Sequence, residues 1–175
     1  MSSNAKVFLN PEELFAHLLA LAKDNAIVKS GPIEISSYNM YLGITGGYDW
    51  NDQYPSTVRA FIEYIRHLEH RILIGVPYFV ECKPDCKECR QSYNKILERY
   101  ALTKDHLELT MHFIASHHLK YYRIGNHGFT GGINLSPSGY TDVAVEVDFP
   151  TTVTLSDIFN QKWHGGNDNP MAYRK

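Results

Sequence analysis

Residues 117–136 read His117-His118-Leu119-Lys120-Tyr121-Tyr122-Arg123-Ile124-Gly125-Asn126-His127-Gly128-Phe129-Thr130-Gly131-Gly132-Ile133-Asn134-Leu135-Ser136. His118 to Ile124 has the composition of a strand, and Gly125-Asn126-His127-Gly128 that of a hairpin turn. The chain then returns as Phe129 to Ile133. Residues two apart on a strand share a face, so His118 and Lys120 point one way while His117 and Leu119 point the other. The return brings Gly131-Gly132 to the level of the His-Lys pair, where paired glycines let the backbone approach a ligand closely. Asn134 and Ser136 add polar side chains at the same end.

Working outward, the remaining elements alternate. Asn10-Pro11-Glu12-Glu13 supplies an N-cap, a first-turn proline and acidic residues for a helix carrying Leu14, Leu18, Leu19 and Ala22 at helical spacing. Ile33 to Leu42 reads as a strand, and Ser56 opens a helix with Val58, Phe61, Ile62, Ile65 and Leu68 on its apolar face. Arg71 to Phe79 is an apolar run of the kind buried on both faces of a sheet. A third helix is expected from Cys86 to Ala101. Alternation predicts strands over Leu107–Ala115 and Thr141–Val147, and a last helix over Leu155–Trp163 capped by Thr154 or Ser156. The tail from Gly165 to Lys175 is expected to be loose. Early strands linked by helical crossovers and late ones by hairpins give an α/β fold: a mixed central β-sheet flanked by helices on both faces.

At 175 residues the chain has the length of one domain. Its 17 Lys+Arg against 19 Asp+Glu give a net charge of −2, so an anionic ligand needs a local site rather than a global basic field. No apolar run approaches a membrane span and the start lacks a secretory h-region, so a cytoplasmic protein with no membrane association is expected.

One imidazole, one ammonium, one amide and nearby backbone N–H groups suit a tetrahedral phosphate oxyanion. No dense carboxylate cluster accompanies them, so magnesium chemistry is not the natural reading. Here the sequence resembles the phospholipase D superfamily, whose signature is His-x-Lys followed by Gly-(Ser/Gly)-x-Asn. His118-Leu119-Lys120 matches the first half, and Gly131-Gly132-Ile133-Asn134-Leu135-Ser136 the second. Asp142, leading into Val143–Val147, resembles the acidic strand that follows. The likeness spans about Ile33 to Trp163. Two positions depart from the pattern: the family's Asp after the Lys falls on Gly125, and the Ser after the first Gly is Gly132.

The resemblance implies a phospholipase D-like fold and a phosphodiesterase, most readily a nuclease, that needs no metal for catalysis and works through a phosphohistidine. Such chemistry uses two His-x-Lys motifs; this chain has one, so the resemblance implies a homodimer. It assigns His118 as nucleophile or acid, Lys120 as phosphate clamp, Asn134 as oxyanion donor and Asp142 as a carboxylate orienting an imidazole. Gly131, Gly132 and Ser136 fall at the substrate. Nucleic acid is favoured over lipid, since no amphipathic membrane-docking stretch is present. Lys120, Arg123, Lys95 and Arg99 are candidates for a local basic groove, and a partner protein delivering substrate is the other route. The alternative is a catalytically weak phosphate- or nucleic-acid-binding module, or a nuclease-like subunit of a larger complex.

Other signals weigh differently. Cys82-x3-Cys86-x2-Cys89 shares its spacing with radical SAM enzymes, which need a far longer barrel. A structural zinc held by the three thiolates and a histidine such as His106 competes with plain free thiols. His117 reads as structural, His112 as a strand face and His127 as a turn, while His67 and His70 lie near a helix C-terminus. The loop Gly43–Gly47 lacks the Gly-Lys-Ser/Thr of a P-loop. Tyr38, Tyr41, Tyr48 and Trp50 could stack bases or simply fill space.

Overall fold

The computed structural model describes residues 5–38, 56–75, 100, 102–114, 117–135 and 142–166. Seven strands form one sheet: β1 (Val7–Phe8), β2 (Ile33–Ser37), β3 (Arg71–Gly75), β4 (Met111–Ile114), β5 (Tyr121–Ile124), β6 (His127–Gly131) and β7 (Ala144–Val147). Their order is β1-β7-β6-β5-β2-β3-β4. β2, β3 and β4 run parallel, while β5, β6, β7 and β1 join antiparallel. This is the mixed sheet expected from crossovers early and hairpins late.

One face is covered by α1 (Pro11–Ala22) and α3 (Ser56–Ile65), with the short α2 (Asn25–Lys29) following α1. Asn10 Oδ1 accepts the Glu13 N–H and Pro11 opens the helix, as the sequence predicts. Leu14, Phe15 and Leu18 are fully buried. Phe15 meets Phe61 of α3 at 5.5 Å and the edge of Tyr122 in β5 at 5.5 Å, which locks helix, helix and sheet together. Each such ring or leucine contributes about 1.5–3 kcal/mol of burial. Ile33 and Ile35 of β2 and Tyr122 and Ile124 of β5 belong to this same core.

The opposite face receives α5 (Phe149–Gly165), whose Phe159 packs with Leu73 and Tyr121. A buried carboxylate organises this layer. Glu34 of β2 has no solvent exposure. Its Oε1 accepts Arg71 Nη2 at 2.7 Å, and its Oε2 accepts the hydroxyls of Ser156 at 2.7 Å and Tyr121 at 3.2 Å. Arg71 also lies over the rings of Phe159 and Trp163, at 5.2 and 5.4 Å. Three elements therefore hold α5 on the sheet through one satisfied charge.

Several expectations need correction. Leu107–Thr110 is not strand: it lies in α4 (Lys104–Thr110), and only Met111–Ile114 pairs with the sheet. Thr103 is the cause, because its hydroxyl accepts the His106 N–H at 3.0 Å and starts a helical turn. Leu109, which alternation would bury, is 74% exposed. The last helix begins six residues earlier than expected, at Phe149, because Asp148 rather than Thr154 or Ser156 caps it, taking the Thr151 N–H at 2.8 Å. β5 starts at Tyr121 rather than His118, and the turn is Gly125-Asn126 alone. Gly125 has φ +59°, and a Cβ there would strike the Ile27 carbonyl and Ser30. That turn has no room for the acidic residue of the family pattern. The expected helix Cys86–Ala101, bar Tyr100, and positions 167–175 of the tail lie outside the described residues. No described helix is long and apolar enough to cross a membrane.

Candidate functional site

The residues singled out by the motif converge where β2 and β3 end, β5 begins, β6 ends and β7 begins. Ligand sites of α/β sheets favour the carboxyl ends of parallel strands. Tyr121 pairs with Thr130 and Gly131 with Ala144, so the first residue before β5, Lys120, lies level with Gly131. Thr130 Oγ1 donates to the Lys120 carbonyl at 2.9 Å and fixes that alignment.

His118 and Lys120 flank one another although neither sits in a regular strand. Lys120 Nζ lies against the His118 ring, 2.8 Å from Nδ1 and 3.3 Å from Nε2. His118 is exposed and Lys120 half-buried. Burial lowers the Lys120 pKa, and the carboxylate of Asp142 works against that shift. Asp142 thus acts electrostatically on Lys120.

Asn134 is held from β2. Ser37 Oγ and the Tyr38 N–H both donate to its Oδ1, each at 3.1 Å. With the carbonyl end so occupied, the amide's Nδ2 end is the donor. Ser37 Oγ in turn accepts the Leu135 N–H at 2.9 Å.

The two glycines serve space more than hydrogen bonding. Gly131 has φ +154°, and a Cβ there would collide with the Val143 carbonyl. The Gly132 N–H is taken by the Val143 carbonyl at 2.8 Å, so it is not the oxyanion donor that paired glycines suggest. A Cβ on Gly132 would lie 3.0 Å from Asp142 Oδ1. The absence of the family's serine therefore lets the carboxylate pack against the β6 end.

The scaffold beneath His118 was not legible in the motif. His117 is buried, and its Nε2 meets Ser36 Oγ, which donates to the Leu119 carbonyl at 2.9 Å. Serine can accept from the imidazole while donating onward, so one hydroxyl ties both neighbours of His118 to β2. Burial, helped by Lys162, His118 and Lys120, pulls the His117 pKa down to about 4, which keeps it neutral. Gly75 makes room for this segment: a Cβ there would occupy the His117 carbonyl. His117 is thus structural, as its face predicts. Tyr38 completes the site, with its ring 4.5 Å from that of His118.

The remaining candidate residues lie elsewhere. Ser136, Cys82, Cys86, Cys89, Lys95, Arg99, Tyr41, Tyr48, Trp50 and the Gly43–Gly47 loop lie outside the described residues. His106, considered as a zinc ligand, has Nε2 on the Arg66 carbonyl at 3.1 Å and Nδ1 accepting the Leu102 N–H at 3.4 Å. Arg123 points into the fold, with Nε on the Gly125 carbonyl at 2.7 Å, and is buried rather than part of a basic groove. His127 opens β6 rather than sitting in the turn, and pairs with Glu146 at 2.8 Å. His112 stacks on Trp163 at 3.7 Å.

No family model and no curated protein matches the chain. Solved structures do. Nuc, a phospholipase D family member from Salmonella typhimurium, matches with a TM-score of 0.53 at 12% identity, over 94% of this chain and 96% of that one. TrmBL2, an archaeal chromatin protein with a novel mode of DNA binding, matches with a TM-score of 0.52 at 12% identity; this chain spans 54% of its length. The fold is therefore phospholipase D-like, an α/β fold shared by a phospholipase D family member and a DNA-binding chromatin protein. At this identity the likeness speaks for fold alone.

Proposed function

We propose that this chain is a phosphodiesterase, most readily a nuclease, in which His118 attacks phosphorus. The observation that carries the reading is the convergence of an exposed imidazole, a clamp ammonium and an oriented amide at one end of the sheet, with Lys120 Nζ 2.8 Å from His118 Nδ1. A phosphodiester docking there meets Lys120 with its non-bridging oxygens and the Asn134 amide as a directed donor. Lys120 passes from imidazole to phosphate, and the unprotonated His118 nitrogen attacks with its lone pair. The new N–P bond forms as the P–O bond to the leaving group breaks. A second imidazole donates a proton to that leaving oxygen. It then takes a proton from water, whose oxygen attacks phosphorus, breaks the N–P bond and restores His118.

This chain carries one His-x-Lys, so the second imidazole comes from a second copy in a C2 homodimer. The net charge of −2 leaves substrate capture to the local site or to a partner protein. The charge needed at phosphorus is supplied by Lys120 and Asn134, and the reaction so written routes no step through a metal. A structural zinc on Cys82, Cys86 and Cys89 would staple a loop and take no part in this chemistry.

The second reading is a phosphate- or nucleic-acid-binding module with little turnover. The DNA-binding neighbour of the same fold and the Lys120 ammonium already seated against the imidazole favour it. Hydrolysis of bis(p-nitrophenyl) phosphate and of single- and double-stranded DNA in excess EDTA, by wild type and His118→Ala, separates the two. EDTA-resistant cleavage abolished by the substitution supports the enzyme. DNA binding without cleavage by either protein supports the module.

A further inference from the structure

Tyr38 touches each of the three side chains that the proposed chemistry uses. Its ring lies 4.5 Å from the His118 ring at 45°, its face is 5.5 Å from Lys120 Nζ, and its N–H holds Asn134 Oδ1 at 3.1 Å. The sequence singled out Tyr38 among four aromatics that could stack a base or fill space. The structure gives it other work.

His118 lies in 117–120, outside any strand, and is exposed. Ser36 and His117 fix the main chain on either side of it, but an exposed imidazole on a fixed backbone still exchanges rotamers on the ps–ns scale. Beside Lys120, the Tyr38 ring packs against the imidazole and restrains its plane. Its own position is set at the backbone, at the end of β2, and its ring fits against Gly75, where a Cβ would come 3.1 Å from Cδ2.

The charges around His118 are largely of one sign. Lys120 flanks it, Lys162 of α5 faces the neutral His117, and Asp142 faces Lys120. A phenol face is the electron-rich surface in contact with both Lys120 and the imidazole, and it favours a cation against it.

We infer that Tyr38 is the positioning residue for His118, holding the imidazole in the attacking rotamer and steadying the cationic imidazole formed during the reaction. Its kinetic consequence rests on the phosphodiesterase reading; the contact itself does not.

The test uses the full chain carrying Tyr38→Ala, Tyr38→Phe and, where alanine fails to fold, Tyr38→Leu. The first readout needs no turnover: the His118 imidazole proton resonances with and without inorganic phosphate. The ring contact predicts a ring-current shift, present in wild type and Tyr38→Phe and lost in Tyr38→Ala. The second readout is kcat and KM on bis(p-nitrophenyl) phosphate. Misplacing a nucleophile costs about 10–100-fold in kcat, with KM within about threefold, and Tyr38→Phe rescues the rate. The inference is overturned if Tyr38→Ala leaves kcat intact, raises KM alone, or is matched in its loss by Tyr38→Phe, which would mark a role for the hydroxyl. If wild type itself cleaves nothing, the phosphodiesterase reading has failed. The resonances then decide the contact: shifts moved by Tyr38→Ala keep it, and unmoved shifts remove it.

Discussion

The Lys120 ammonium lies 2.8 Å from Nδ1 of His118 and 3.3 Å from Nε2, so the clamp and the nucleophile of the proposed site hold each other before substrate arrives. The pair is preorganised, and phosphate must draw Lys120 away from the imidazole. A group that serves at the phosphate and not merely beside the histidine should be missed most in the transition state. Lys120→Ala is expected to lower kcat/KM about 100–1000-fold, the range for loss of one charge-stabilising donor. Lys120→Arg should recover little, because a planar fork does not reproduce a point charge between imidazole and phosphate. Steady-state kinetics on a chromogenic diester checks this; a loss under about threefold in Lys120→Ala would remove Lys120 from the chemistry.

Asn134 is oriented by Ser37 and the Tyr38 N–H, both spent on Oδ1. Asn134→Asp keeps the shape but replaces the amide N–H donors with a carboxylate. It should lose at least as much rate as Asn134→Ala, about 100-fold or more. Equal stability by urea unfolding in both variants would locate the effect in the site. An aspartate variant as active as wild type would contradict the oxyanion role.

His70 is buried, with Nδ1 on the Leu68 carbonyl at 2.8 Å and Nε2 against the Tyr100 hydroxyl, and burial lowers its pKa to about 4. The unfolded chain takes up a proton near 6.5 that the folded chain refuses until about 4. Stability from this group is therefore complete above pH 6.5 and falls as pH drops toward 4, by about 3 kcal/mol. His117, His17, His106 and His112 are shifted in the same direction and steepen the fall. Urea midpoints at pH 7.5, 5.5 and 4.5 should decline in that order. A flat profile down to pH 5 would contradict the buried neutral imidazole.

Glu34 gathers Arg71, Tyr121 and Ser156 under α5. Glu34→Ala strands a guanidinium and two hydroxyls in an apolar layer and should cost about 3–5 kcal/mol. Chemical denaturation measures it, and a cost under about 1 kcal/mol would show that water replaces the carboxylate.

Gly131 joins β6 to the site at φ +154° with the Val143 carbonyl where a Cβ would go. Gly131→Ala should destabilise by about 1–3 kcal/mol and displace Asn134. Gly132→Ala meets the Asp142 side chain at 3.0 Å rather than backbone and should be milder. Comparing the two midpoints tests the assignment, and the reverse ranking would contradict it.

The sequence was informative where the signal was local. His118, Lys120, Gly131, Gly132 and Asn134 lie within seventeen residues, and hairpin geometry alone brings them together. The Asn10-Pro11 cap and the parallel-then-antiparallel sheet order were legible for the same reason. Leu107–Thr110 failed because the cap at Thr103 outranked an alternating pattern, and α5 started early because Asp148 capped it. β1, of two residues, and α2, of five, are too short to leave a period. Ser36–His117, the Glu34 cluster and Tyr38 against His118 join residues 80 or more positions apart, or nearly forty for Glu34–Arg71, and no spacing rule announces them.

The central claim is that a His118 nitrogen bonds to phosphorus. Wild type is mixed with bis(p-nitrophenyl) phosphate in EDTA, quenched within one turnover by base, and mapped by peptide mass spectrometry, since phosphohistidine survives base and not acid. The account predicts a phosphoryl adduct on the peptide carrying His118, absent in His118→Ala and retained by wild type at the first turnover. Cleavage of the diester with no adduct on that peptide, or an adduct that persists in His118→Ala, would contradict it.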